Sequence, residues 1–313
     1  MKKLIIILFI LFTIPSLCTS CNNNKNNTNK TENIIKNIRN NNFVIINNQH
    51  ITSPLNITLC GDGAKALEIA PIYIDCELIF VNCVFEDDVI AYYTNNQKQD
   101  LYCSFMRNVT FRNCTFLKNV NMQQADIRGR LDFEDCHVAG EANFSGMTVN
   151  GASFSGTSFD GEASFVSASF GQRVAFNKIS FKQNAIFQYC HFNNITTFTD
   201  SNFGGYIDFS NAFCTALCDF TNSQFGGRFA MLNATFLGQL KMAKCMFFDN
   251  VNITHSKMLG GINLTNAQIK TTFTLSNNIL VGTNKTEPLY GKLILGENLN
   301  FETEENEHCY KNN

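Results

Sequence analysis

Residues 142–165 read ANFSGMTVNGASFSGTSFDGEASF, and large apolar side chains recur in this stretch at steps of five or six residues. An amphipathic helix would need a period of 3.6 residues and a half-buried strand a period of two, so neither explains the pattern. A small residue lies two positions before several of the phenylalanines, as in Ala142-Asn143-Phe144. Residues two apart on an extended segment point the same way, so each step sends one small and one large side chain inward. The stretch therefore predicts a solenoid.

Ala142-Asn143-Phe144, Ala152-Ser153-Phe154 and Ala163-Ser164-Phe165 resemble the A(D/N)(L/F)xx unit of pentapeptide-repeat proteins. The resemblance implies an all-β fold, a right-handed quadrilateral parallel β-helix, over residues 69–280. The alternation of five and six residues predicts a coil of about 22 residues, where the family unit gives about 20.

The period predicts columns of stacked rings, with one residue dropped from the rhythm between Val149 and Phe154. Neighbouring coils should lie about 4.8 Å apart, the spacing of adjacent strands. Glycines such as Gly140 and Gly161 fall in the longer steps, where we expect a positive φ. The three predicted columns are Phe154, Phe176, Phe198 and Phe220; Phe159, Phe181, Phe203 and Phe225; and Phe144, Phe165, Phe187 and Phe209.

The ends of the chain depart from this rhythm. We expect an N-terminal β cap at residues 43–68 and a C-terminal cap with an acidic tail at residues 281–313. The rhythm before Phe85 matches that after Phe105, but about nine extra residues lie between them. They predict a loop insertion at residues 86–101.

Residues 1–20 have the form of an export signal, with Lys2 and Lys3 before an apolar run that ends at Leu17. Cys18-Thr19-Ser20-Cys21 resembles a bacterial lipobox, although Cys18 stands where leucine is usual. The resemblance implies a lipid on Cys21 and a membrane-anchored lipoprotein of the cell envelope. The alternative is a signal that is cleaved with no lipid added. Residues 21–42 are rich in asparagine, which predicts a disordered tether.

Cysteine is abundant, but its positions favour packing over chemistry. Six cysteines occupy the small inward position of the repeat, where a thiol packs as a small hydrophobic group. His137 and His191 each follow one of these cysteines and should point outward, because neighbouring residues on a strand face opposite sides. These pairs therefore predict no nucleophile–base dyad. The six cysteines are Cys83, Cys114, Cys136, Cys190, Cys218 and Cys245.

The leading functional hypothesis is a non-catalytic envelope scaffold or interaction protein that binds a protein or glycan partner. Loops on a rigid body commonly carry function, so the insertion is the candidate interaction loop. The sequence contains no phosphate-binding loop, zinc motif or catalytic triad pattern, and we expect no metal, cofactor or nucleic acid. The loop residues singled out are Glu86, Asp87, Asp88, Tyr92, Tyr93 and Asp100.

Two alternatives remain open. A carbohydrate-active β-helix enzyme, a lyase or hydrolase, would need acids clustered on one face, and Asp132, Glu134 and Glu141 are the candidates. No cationic side chain is expected beside them. The family resemblance also suggests a DNA mimic that binds topoisomerases. An export signal and a near balance of ten acidic and eight basic residues over 131–280 disfavour that role.

Overall fold

The computed structural model describes residues 29–61, 71–282, 294–295, 300–302 and 307–310. The chain winds into a solenoid in which each coil contributes four short strands, and the strands of successive coils pair in parallel. We number the four faces in chain order, so that Val44–Asn47 opens face 1 and Ile72–Ile74 opens face 4. The predicted quadrilateral parallel β-helix is confirmed.

The strands are short because each must turn at a corner. Two of them, Asp126–Glu134 and Thr148–Ser153, bend through the corner from face 4 to face 1 and belong to both faces. Besides these two, face 1 contains Val44–Asn47, Leu78–Val81, Val109–Arg112, Val174–Ala175, Thr196–Thr197, Cys218–Asp219, Leu240–Lys241 and Ile262–Asn263. Face 2 contains His50–Ile51, Val84–Phe85, Thr115–Phe116, His137–Val138, Ser158–Phe159, Ser180–Phe181, Asn202–Phe203, Gln224–Phe225, Met246–Phe247, Gln268–Ile269 and Ile294–Leu295. Face 3 contains Leu55–Asn56, Val89–Ile90, Val120–Asn121, Ala142–Asn143, Ala163–Ser164, Ala185–Ile186, Ile207–Asp208, Phe229–Leu232, Val251–Thr254, Thr272–Ser276 and Asn300–Glu302. Face 4 contains Ile72–Ile74, Asp100–Phe105, Ser169–Phe170, His191–Phe192, Phe213–Cys214, Thr235–Phe236, Lys257–Met258, Ile279–Gly282 and Glu307–Tyr310.

The strand register confirms the predicted coil length and the one residue dropped between Val149 and Phe154. Phe181 pairs with Phe203 and Phe203 with Phe225, a repeat of 22 residues. Thr148 pairs with Ser169, one residue short of that repeat, and the irregularity begins where the Asp126–Glu134 strand turns its corner. The residue missing between Val149 and Phe154 is therefore lost from a single corner, and the register resumes beyond it.

The core consists of the predicted ring columns. Phe154, Phe176 and Phe198 lie parallel to one another, with ring centroids 4.9 and 4.6 Å apart. Rings of neighbouring columns meet edge to face, as Phe165 and Phe176 do at 5.5 Å. Both arrangements are favourable for the aromatic quadrupole. All twelve phenylalanines of the three predicted columns are at most 1% exposed.

From Val109 onward, two corners of each described coil contain a residue with positive φ, and asparagine occupies many of these positions. Asn82 and Asn113 stand at the corner from face 1 to face 2, and their side chains form a ladder: Asn113 Nδ2 donates to Asn82 Oδ1 at 2.7 Å. Among the described residues, nine of the eighteen non-glycine residues with positive φ are asparagine, which tolerates this conformation better than most side chains. Part of the asparagine content therefore has a structural cause.

The glycines of the longer steps have a different role from the one expected. Gly140 and Gly161 are absent from the residues with positive φ. Instead, the backbones of successive coils approach so closely that a Cβ at Gly140 would lie 2.6 Å from the carbonyl carbon of Lys118. The expectation of positive φ at these two positions is wrong, and close approach of neighbouring coils is the reason for glycine.

The solenoid begins earlier than predicted. Val44–Asn47 already pairs in parallel with Leu78–Val81, so the predicted cap at residues 43–68 contains strands of the first coil, and the boundary at residue 69 is too late. The predicted tether of residues 21–42 is also wrong in its second half. Residues Asn29–Arg39 form a helix, and Ile34, Ile35 and Ile38 on its apolar side are buried. The helix closes the N-terminal end of the core, and Arg39 Nη2 donates to the Leu59 carbonyl at 2.7 Å.

The insertion and the C-terminus also differ from expectation. Val89–Ile90 keeps its place on face 3, so the chain leaves the solenoid after Ala91 and not at residue 86. At the other end, Glu307–Tyr310 pairs in parallel with Ile279–Gly282, so backbone pairing continues into residues predicted to be an acidic tail. The predicted signal at residues 1–20 and the lipidated Cys21 lie outside the described residues. Among the residues described, no helix is long and apolar enough to cross a bilayer.

Candidate interaction surface

The insertion forms a β-hairpin that projects from the second coil. Tyr92–Thr94 pairs in antiparallel fashion with the start of Asp100–Phe105, whose other end returns to face 4. Thirteen residues separate Ile90 from Ser104, whereas four separate their register partners Asn121 and Asp126 one coil later. The nine additional residues therefore build the hairpin.

Three of the six predicted loop residues lie on this hairpin. Tyr93 is 42% exposed, and Tyr92 is partly exposed. Asp100 lies opposite Thr94 in the antiparallel pair, and its Oδ1 accepts a hydrogen bond from Thr94 Oγ1 at 2.8 Å. The two strands of the hairpin are thus linked by a side-chain hydrogen bond, and the hairpin exposes aromatic side chains.

The other three predicted loop residues lie on the solenoid, at the corner from face 2 to face 3. Glu86 lies 3.3 Å from His50, and Asp87 forms an ion pair with Lys118 at 2.8 Å, which lowers the pKa of Asp87. Asp88 Oδ1 accepts from the Asn119 amide at 3.0 Å. Their assignment to a projecting loop is wrong, because each of the three side chains contacts a residue of a neighbouring coil.

A groove of about 390 Å³ lies between the base of the hairpin and face 4. Its floor is a row of outward residues on successive strands, because Tyr73 pairs with Ser104, Ser104 with Asp126 and Asp126 with Thr148. Tyr102 of the hairpin and Arg128 of the following corner also line it. This groove was not predicted from the sequence, because its residues come from four coils and only the coil register brings them together.

The carboxylates of the enzyme alternative are not brought together. Asp132 and Glu134 flank buried Phe133 on face 1 and both point outward, as predicted. Glu141 lies beyond face 2, at the next long corner. Cationic partners were not expected, yet Arg130 forms an ion pair with Asp132, and Arg112 lies 3.3 Å from Glu134. The prediction that no cation lies nearby is therefore wrong.

The histidines point outward and lie on different faces, as predicted. His137 Nε2 lies 3.1 Å from Asp160, which also binds Lys182 at 2.8 Å. The Lys182 ammonium, together with His137, lowers the pKa of Asp160 despite the opposing effect of desolvation. His191 is exposed on face 4, while Cys190 before it is buried. The adjacent Cys–His pairs therefore do not form a dyad.

The ten described cysteines are buried free thiols. The six cysteines assigned to the inward position are at most 2% exposed, which confirms their packing. Burial raises the pKa of Cys60 and of Cys245 to about 12 in each case. Contact with the Cys136 thiol is the largest cause that raises the pKa of Cys114 to about 12. These thiols are protonated at neutral pH and are poor nucleophiles.

The inward cysteines also form hydrogen bonds. Cys245 Sγ donates to the Phe220 carbonyl at 3.0 Å, and at the equivalent corner Ser223 Oγ donates to the Phe198 carbonyl at 2.6 Å. At the other tight corner Cys190 Sγ donates to the Phe165 carbonyl at 2.8 Å. Cysteine and serine therefore exchange in the repeat because both satisfy a buried carbonyl of the preceding coil.

A polar cluster on face 3 was also missed. Asp208 is 3% exposed, and its carboxylate accepts from Tyr206 Oη and Gln188 Nε2, each at 2.6 Å, and from the Ser210 amide at 2.8 Å. Burial raises the pKa of Asp208, but these hydrogen bonds more than offset it, so the pKa lies below its usual range. Because the Asp208 carboxylate oxygens already accept these hydrogen bonds, the cluster has a structural role on face 3.

Within the described residues, no group of three or more His, Cys, Asp or Glu side chains is arranged to hold a metal ion. The family model for pentapeptide repeats, with nine copies, matches residues 102–148 and 176–224. No curated protein and no solved structure matches the chain. The matched segments lie within the ladder of stacked phenylalanine columns, and these segments are pentapeptide repeats.

Proposed function

We propose that this protein is a non-catalytic interaction protein of the cell envelope, which contacts its partner through the hairpin of residues 92–102. The observation that carries the proposal is the hairpin itself. It adds nine residues to the coil, and it holds Tyr93 in solvent. Exposed tyrosines on a well-supported element are typical contact residues, since they offer a large area at a low cost in conformational entropy.

The arrangement of polar groups on the solenoid supports a binding role over a catalytic one. Two acids of the enzyme alternative lie on face 1 and form ion pairs with arginines, and the third, Glu141, lies at the corner between faces 2 and 3. Elsewhere on the described surface each cation of an ion pair meets a single carboxylate, as Arg107 meets Asp75 at 3.1 Å. A glycosidase needs two carboxyl groups that are free to act as acid and as base or nucleophile on a substrate.

The same proposal includes a lipid anchor on Cys21. Its support is the sequence, with a basic start, an apolar run and small residues before the cysteine. Seven residues separate Cys21 from the helix that begins at Asn29. A span of eight extended residues reaches about 26–29 Å at most. An anchor at Cys21 would therefore hold the helix-capped end, and the hairpin of the second coil, close to the membrane.

The test of the hairpin is affinity capture from the solubilised native envelope, with wild type compared with a variant in which residues 92–102 are replaced by Gln-Gln. That pair stands at the equivalent point one coil later, as Gln123-Gln124, so the variant keeps an ordinary 22-residue coil. We expect specific capture by wild type and its loss in the variant, with unchanged circular dichroism. Equal capture by both chains would contradict the proposal.

The test of the anchor is metabolic labelling with a palmitate analogue in wild type and Cys21→Ala. We expect label and membrane association in wild type and the loss of both in the variant. Equal labelling of the two chains would show that Cys21 carries no lipid.

A further inference from the structure

We propose that the groove between the hairpin base and face 4 is a binding site for a neutral saccharide. This inference rests on the proposed function, because it names the class of ligand that the interaction surface takes. It is carried by three properties of the groove: its shape, its charge and its aromatic wall.

The shape suits a small ring-shaped ligand. The volume of about 390 Å³ lies at the lower end of the range of about 300–1,000 Å³ that is typical of ligand sites. Tyr73, Ser104, Asp126 and Thr148 lie side by side on four successive strands. Strand spacing sets them about 4.8 Å apart in a straight row. Ser104 is buried, so Tyr73, Asp126 and Thr148 are the members of this row that a ligand can reach.

The charges of the groove cancel. Asp126 Oδ2 accepts from Ser104 Oγ at 3.0 Å and from Arg128 Nε at 3.4 Å, which pairs the carboxylate with the guanidinium. Both donors bind the same oxygen, and no described protein group donates to Asp126 Oδ1. The site therefore offers a fixed acceptor without net charge, which favours a neutral hydroxyl-bearing ligand over an anion such as a nucleic acid.

The wall is aromatic and open to solvent. Tyr73 is 63% exposed, the largest exposure among the exposed large hydrophobic residues of the described chain. Tyr102, partly exposed, belongs to the same groove. An exposed aromatic ring supplies an apolar face beside polar groups, which matches a sugar, whose C–H face is apolar and whose edge is hydroxylated. The hydroxyl and carboxylate floor makes the groove a poor site for an apolar peptide side chain.

The test is isothermal titration calorimetry of the full chain in detergent with four probes: chitotriose, cellotriose, maltotriose and mannotriose. We expect at least one to bind with a dissociation constant below about 1 mM (about −4.1 kcal/mol). Tyr73→Ala should weaken that binding at least tenfold, Asp126→Asn at least fivefold, and Tyr73→Phe less than threefold, because the last variant keeps the ring.

Tyr189→Ala is the matched control, since Tyr189 is 52% exposed at a corner of the coil and does not line the groove. It should bind as wild type does. Binding of none of the four trisaccharides, or equal binding by Tyr73→Ala and wild type, would overturn the inference. If no trisaccharide binds but partner capture still depends on the hairpin, only the saccharide inference is rejected. Saccharide binding together with hairpin-independent capture would reject only the hairpin contact.

Discussion

Replacement of Phe176 by alanine probes the ring columns where they are most complete. Phe176 is fully buried and lies between Phe154 and Phe198, with centroids at 4.9 and 4.6 Å. Phe165 and Phe187 meet it edge to face, each at 5.5 Å. The strands above and below are fixed by parallel pairing, so the coils cannot close over the space that the ring leaves.

The expected loss in the free energy of unfolding follows from these contacts. A buried Phe→Ala change costs about 3–5 kcal/mol, and the cost rises with the volume of the cavity left behind. Favourable ring pairs contribute about 0.5–1.5 kcal/mol each beyond burial of area. Because Phe176 has four such partners within 5.5 Å in a site that cannot collapse, we expect about 4–5 kcal/mol.

The assay is urea unfolding followed by circular dichroism, with Phe248→Ala as the matched control. Phe248 is 46% exposed, so its replacement should cost less than about 0.5 kcal/mol. A solenoid can unfold in parts, so hydrogen exchange of the neighbouring coils should show that the loss is local. A loss below about 1.5 kcal/mol, or one equal to that of Phe248→Ala, would refute the account of the core.

The corners and thiols give further predictions. Cys190→Ala should destabilise the protein by about 0.5–1.5 kcal/mol in urea unfolding, because the Phe165 carbonyl loses the thiol donor and keeps only the Ala168 amide at 2.9 Å. Cys190→Ser should restore most of the loss, and equal stability of the two variants would contradict this role. Gly140→Ala should lower the free energy of unfolding by about 2 kcal/mol or more, since its Cβ would lie 2.6 Å from the Lys118 backbone. Gly171→Ala, whose Cβ would have its nearest atom at 3.4 Å, should be nearly neutral. Similar melting temperatures for the two variants would argue against close approach of the coils. Stability should fall as pH rises from about 9 to 12, because the native state keeps Cys60, Cys114 and Cys245 protonated at pH values where the unfolded chain releases those protons. Each thiol should contribute a slope of about 1.4 kcal/mol per pH unit, and a urea midpoint that does not change from pH 8 to 11 would contradict this.

The coil could be predicted from the sequence because very large and very small apolar side chains mark each step of the repeat. Phe154, Phe176 and Phe198 recur at one interval, and only a solenoid with that coil length buries all of them. The inward position of Cys190 followed from the same register. Its hydrogen bond did not, because the acceptor carbonyl belongs to Phe165, one coil away.

The errors lie where the pattern is short or where neighbouring coils interact. Ile34, Ile35 and Ile38 have helical spacing, but a composition dominated by asparagine obscured three apolar residues. Asp87 was assigned to the loop because it follows Phe85, where the extra residues interrupt the repeat. Its partner Lys118 lies 31 residues further along the chain and was not recognised from local sequence. The groove was missed for the same reason, since the register across four coils brings its residues together.

The contact claimed for the hairpin is tested most directly by photo-crosslinking in the native envelope. A benzophenone amino acid would replace Tyr93 on the hairpin or, as a control on a flat face, exposed Gln224 of face 2. The account predicts a discrete crosslinked adduct from position 93 and none from position 224. An adduct from position 224 with none from position 93 would contradict it.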